Sequence, residues 1–168
     1  MDRFASELIE LSTRQNFAHW LQVANIYRGW ARSALGNAVE GISWIEQGIR
    51  DIRATGQVVG VPTLLARKAE ALYLADRTSE ALEAIEEAVA IAERFEQRRY
   101  VSDLHRFRGV LLAALGADEA QIEVSFGEAI RIAKEQKSVS LEKRAEATYA
   151  EYRQRKALGE HGFRLPLF

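Results

Sequence analysis

Three segments of the sequence superimpose on one another at a constant spacing of 40 residues. Residues 28–36 read RGWARSALG, residues 68–76 read KAEALYLAD and residues 108–116 read RGVLLAALG. Each has a small residue at its second position and a Gly or Asp seven positions later. A small residue lets a neighbouring helix cross closely, and Gly or Asp tolerates the left-handed conformation in which helices commonly end. The spacing predicts a chain of repeated helices.

A second helix is expected after each of these turns, because a ladder of small and large residues follows at helical spacing. The three ladders are Gly41, Ile45, Gly48; Ala81, Ile85, Ala88; and, after one extra residue in the turn, Ile122, Phe126, Ala129. Each repeat is therefore a helical hairpin, which must stack on a neighbour because it cannot bury its apolar side alone. Eight helices are predicted, over residues 3–13, 17–34, 38–54, 62–75, 79–95, 99–115, 118–136 and 140–157.

This pattern resembles the tetratricopeptide repeat, over roughly residues 17–136. The resemblance implies an all-α fold, a right-handed α-solenoid of about three tetratricopeptide-like hairpins. HEAT-type repeats, with a period of about 40 residues, are the main structural alternative. The predicted domain covers residues 1–158, with a tail at 159–168. Within it, 3–13 is an orphan second helix, 17–54, 62–95 and 99–136 are the repeats, and 140–157 is a capping helix.

A closer resemblance concerns two stretches near the end of the chain. Residues 103–116 read DLHRFRGVLLAALG and residues 140–152 read SLEKRAEATYAEY. With Gly29 and Trp30, they resemble the C-terminal helical-repeat region of large bacterial signalling proteins that carry a class III adenylate/guanylate cyclase domain and an NTPase domain. The resemblance implies a regulatory or scaffolding segment of a longer protein and carries over no catalysis, because the cyclase and NTPase motifs lie outside these stretches.

Composition and motifs argue against an enzyme. The chain has no cysteine, a formal net charge of −1 and three widely separated histidines. No phosphate-binding Gly-rich loop, nucleophile elbow or zinc-protease motif occurs. We therefore expect no catalytic residue, no cofactor, no metal and no nucleic-acid or membrane partner. The lack of cysteine fits a cytoplasmic location.

The resemblance also implies where a partner would bind, because the concave groove of such repeats is lined by the first helix of each hairpin. Counting in helical turns from the small residues predicts these groove residues: Ile26, Trp30, Ser33, Ala66, Glu70, Tyr73, Asp103, Arg106 and Val110. An aromatic residue and an arginine are typical of interface hot spots. The alternative is that Glu70, Asp103 and Arg106 pair with one another, Asp103 and Arg106 being three residues apart on one helix.

The preferred function is thus a non-enzymatic module that binds a peptide, a partner helix or another domain of its parent protein. A small-ligand sensor is the alternative, in which Trp20, Trp30 and Trp44 close over a metabolite. Phe4, Leu8 and Leu11 would expose an apolar repeat end, which predicts pairing of two copies.

Overall fold

The computed structural model describes residues 2–160 and contains eight α-helices and no strand within that range. The helices are α1 (Asp2–Arg14), α2 (Ala18–Ala34), α3 (Ala38–Ala54), α4 (Val61–Leu74), α5 (Thr78–Arg94), α6 (Val101–Ala114), α7 (Glu119–Glu135) and α8 (Val139–Ala157). No predicted boundary differs from these by more than two residues, which is within the usual fraying of helix ends. The all-α fold of tetratricopeptide-like hairpins is confirmed. Most of the predicted tail, residues 161–168, lies outside the described residues.

Every helix ends in the same turn, with a left-handed residue two positions after its last helical residue. In the turn that ends α2, the backbone amide of Asn37 donates to the carbonyl of Arg32 at 3.0 Å. The backbone amide of Gly36 donates to the carbonyl of Ser33 at 3.1 Å. Such paired bonds satisfy carbonyls left open at a helix C-terminus. Positive φ angles recur at Asn16, Gly36, Gly56, Asp76, Glu96, Gly116, Lys137 and Gly159. The first six are 20 residues apart, so each 40-residue repeat consists of two helix-plus-turn units of equal length.

The chain forms two compact units, Met1–Ala84 and Ile85–Phe168, and the boundary falls within α5. In the first unit, α2 packs against α1 and α3, and α4 packs against both α2 and α3. The predicted small residues lie at the crossing of α2 and α3. A methyl group on Gly29 would be 2.5 Å from the carbonyl oxygen of Gly41, and one on Gly48 would be 2.5 Å from Cγ1 of Ile26. The two helices therefore approach more closely than any larger residue at 29 would permit.

In the second unit, α6 packs against α7 and α8, and α7 also packs against α8. A methyl group on Gly109 would be 2.9 Å from the ring of Phe126, so here the small residue faces a large one. The buried ring of Phe126 in turn stacks on Tyr149 of α8, with 5.3 Å between the ring centroids. The buried hydroxyl of Ser102 donates to the carbonyl of Ala129 at 2.8 Å and fixes the start of α6 to α7.

Candidate interaction faces

The nine predicted groove residues differ in the exposure of their side chains. Trp30, Ala66 and Asp103 are partly exposed. The other six are buried: Ile26, Ser33, Glu70, Tyr73, Arg106 and Val110. Only the first three therefore offer exposed surface, while the other six are packed between helices. Their role in binding stays a prediction.

Trp30 lies on a face formed by α2 and α4, each of which is the first helix of a hairpin. The guanidinium of Arg67, on α4, lies over the Trp30 ring at 5.3 Å from its centroid. The same guanidinium donates from Nη1 to Oε2 of Glu70 at 2.5 Å. We call Trp30, Ala66, Arg67 and Glu70 the Trp30 face. Stacking on the indole and pairing with a buried carboxylate both restrict Arg67, so an aromatic ring and an arginine are presented in a fixed arrangement.

Asp103 and Arg106 form an ion pair in the second unit, as the alternative interpretation of these residues expected. Nε of the buried Arg106 donates to Oδ1 of Asp103 at 2.7 Å. Nη1 of Arg144, on α8, lies 3.6 Å from the same carboxylate oxygen. Asp103 thus links α6 to α8, because its carboxylate contacts a cation on each of these helices.

Trp44 lies beside a second polar site in the first unit, which sequence analysis did not identify. Its ring lies under two guanidinium groups of α2, with centroid distances of 5.1 Å to Arg28 and 5.7 Å to Arg32. Next to it is a cavity of about 220 Å³ between α2 and α3. We call this the Trp44 cavity, lined by Gln22, Asn25, Arg28, Trp44, Gln47 and Gly48. Arg28 and Trp30 are two residues apart, about 200° around α2, so the Trp44 cavity and the Trp30 face lie on nearly opposite sides of that helix.

Ion pairs between the second helix of one hairpin and the first helix of the next hairpin recur at the period of the repeat. Nζ of Lys68 lies 3.0 Å from Oε1 of Glu46. Forty residues later, Nη2 of Arg108 lies 3.3 Å from Oε1 of Glu86. The basic residue of this series in the first repeat is Arg28, and Ser6 stands at the acidic position. In the sequence, these ion pairs could have been anticipated from the basic residue that begins each of the three aligned segments.

A larger cavity of about 490 Å³ lies in the second unit, between the end of α5, the start of α6 and the end of α7. Its walls combine apolar side chains with several charged ones: Ala92, Glu93, Glu96, Arg98, Val101, Ile132, Glu135 and Gln136. The side-chain amide of Gln136 donates to the backbone carbonyl of Arg98 at 2.6 Å. Nearby, burial lowers the pKa of His105 below its ordinary value, against the opposing effect of Glu128 and Glu93.

The three tryptophans have different surroundings. Trp30 contacts Arg67, Trp44 contacts Arg28 and Arg32, and Trp20 is 52% exposed beside the ring of His19. The aromatic wall that the sensor alternative drew from these three rings stays a prediction.

Three further observations concern the predicted absences and the predicted repeat end. Across residues 2–160, no helix combines the length and apolarity needed to cross a membrane. The same residues contain no group of three or more His, Asp or Glu side chains placed to hold a metal ion. Phe4 is 70% exposed and Leu11 is 44% exposed, while Leu8 is partly exposed. Pairing of two copies through these residues stays a prediction.

Comparison with known proteins supports the fold. No protein-family model matches the chain. A protein of Rhizobium meliloti (strain 1021), described only as uncharacterized, is 28% identical over 120 residues, which are 71% of this chain. The chain spans only 12% of the length of that relative.

Among solved structures, the crystal structure of Bacillus thuringiensis PlcR in complex with the peptide PapR7 and DNA resembles the chain with a TM-score of 0.78. The sequence identity is 21%, and the match covers 86% of this chain and 54% of the PlcR chain. The fold is tetratricopeptide-like. Neither of these two relatives is described as a cyclase or an NTPase.

Proposed function

We propose that this chain is a non-enzymatic regulatory module that binds a peptide or a partner helix on the exposed side of its first helices, the concave groove of the repeat. The observation that carries the proposal is the Trp30 face, where a partly exposed indole is held by an arginine that is itself fixed by Glu70. Tryptophan and arginine are the residues most enriched in interface hot spots. A side-chain arrangement that is already ordered loses little conformational entropy on binding. The peptide in the complex of the structurally similar PlcR supports this reading of the fold.

The proposal can be tested with peptides selected from a random display library on the immobilised chain. Their affinities are then measured by fluorescence anisotropy against the wild-type chain and variants. Trp30→Ala and Arg67→Ala should each weaken binding by about tenfold or more, because a hot-spot truncation costs about 2 kcal/mol.

Trp20→Ala is the matched control, because it removes the same ring from a more exposed position of the same helix. Affinity should change by less than about twofold in this variant. Circular dichroism checks that each variant is folded. Equal losses at Trp20 and Trp30, or selected peptides that bind the Trp30→Ala variant normally, would refute the assignment of the face.

The wider role that we propose is the C-terminal part of a larger bacterial cyclase-like or NTPase-linked signalling protein, in the cytoplasm. Two observations support it: the resemblance of residues 103–116 and 140–152, and the much greater length of the Rhizobium meliloti relative. Sequencing the reading frame upstream of Met1 tests it. Cyclase or NTPase motifs in the same frame are the expected result, and an in-frame stop codon directly upstream would overturn it.

A small-ligand sensor is the second candidate, favoured by the cavity in the second unit. Its volume of about 490 Å³ falls within the range of known ligand pockets, roughly 300–1,000 Å³. A thermal-shift screen of metabolites should then find a compound that stabilises the chain by about 2.7 kcal/mol at 100 times its dissociation constant.

Filling this cavity by Ile132→Trp should abolish the stabilisation. The control, Val124→Trp, adds the same ring at a position of α7 that is 62% exposed. A compound that stabilises both variants equally binds elsewhere, which contradicts the cavity as the sensor site.

A further inference from the structure

We draw no further inference here: the strongest candidate, the apolar stripe of Phe4, Leu8 and Leu11 along α1, carries none, because nothing in the described residues 2–160 shows what covers it.

Discussion

Replacing Gly29 by alanine tests the close crossing of α2 and α3 on which the first hairpin depends. The added methyl group would lie 2.5 Å from the carbonyl oxygen of Gly41, 3.0 Å from Cγ1 of Ile45 and 3.2 Å from Cβ of Trp44. The first of these atoms belongs to a helix backbone and cannot rotate away. One helix must therefore move relative to the other.

The magnitude follows from two opposing effects. Overpacking of a tight interior typically costs about 1–3 kcal/mol, and contact with backbone places this site at the upper end. Alanine is a better helix former than glycine by about 1 kcal/mol, which offsets part of the cost. We expect a net loss of about 2 kcal/mol in the free energy of unfolding for Gly29→Ala. A methyl group on Gly127, within α7, would meet no atom within 4 Å. There the same substitution should gain about 1 kcal/mol.

Urea unfolding followed by far-ultraviolet circular dichroism measures both variants against the wild-type chain. Tryptophan fluorescence adds a specific probe for the first unit, because Trp20, Trp30 and Trp44 all lie within it. Gly127→Ala controls for helix propensity, so the difference between the variants isolates the crossing. A Gly29→Ala variant as stable as the wild-type chain, or more stable, would refute the close crossing.

Three further predictions concern single side chains. Arg106→Met should lower the free energy of unfolding by about 3 kcal/mol in urea, because it removes a buried cation that lies 2.7 Å from Asp103. Burial depresses the pKa of His105, so the unfolded chain binds the proton more readily than the folded chain does. The free energy of unfolding should therefore fall as the pH decreases from about 6.5 through the lower pKa of the folded chain. Urea titrations at several pH values measure this fall, and His105→Gln should remove it. Lys137→Gly should raise the melting temperature, because Lys137 has a φ of 53° and glycine adopts that conformation without the cost of about 1 kcal/mol that a side chain incurs.

The fold could be predicted because the residues that set helix crossings and helix ends recur in the sequence. Gly36, Asp76 and Gly116 adopt the left-handed conformation that their residue types favour. Glu96 and Lys137 adopt it too, although neither residue type favours it. At Glu96 the turn is held by a bond of 2.8 Å from the amide of Gln97 to the carbonyl of Ala92. The same bond closes the turn at Gly36, so the 20-residue period of these turns could not be read at Glu96, where the residue type does not indicate the left-handed conformation.

The candidate sites were less predictable, because they depend on how far each helix is rotated about its axis. Counting turns from Gly29 predicts that Ile26, Trp30 and Ser33 share one side of α2, but it does not predict that Trp30 alone among them reaches the surface. The Trp44 cavity depends on the register of α2 against α3. Once Gly29 lies opposite Gly41, residues 28 and 44 lie within one helical turn of the same level, and that register is fixed by the close crossing itself.

Deviations from the repeat period separate the positions that stacking requires from those that it does not. Positions that stacking requires must recur, and the small residues at 29, 69 and 109 do so. The position of Trp44 is occupied by Ala84 in the second repeat and Ser125 in the third, so stacking does not require an indole there. A methyl group suffices at this position in the second repeat. The larger ring adds surface that the hairpin does not need for its own crossing, because the close contact between α2 and α3 is made by Gly29 and Gly41. The indole therefore makes contacts that the crossing itself does not require, including those with the guanidinium groups of Arg28 and Arg32.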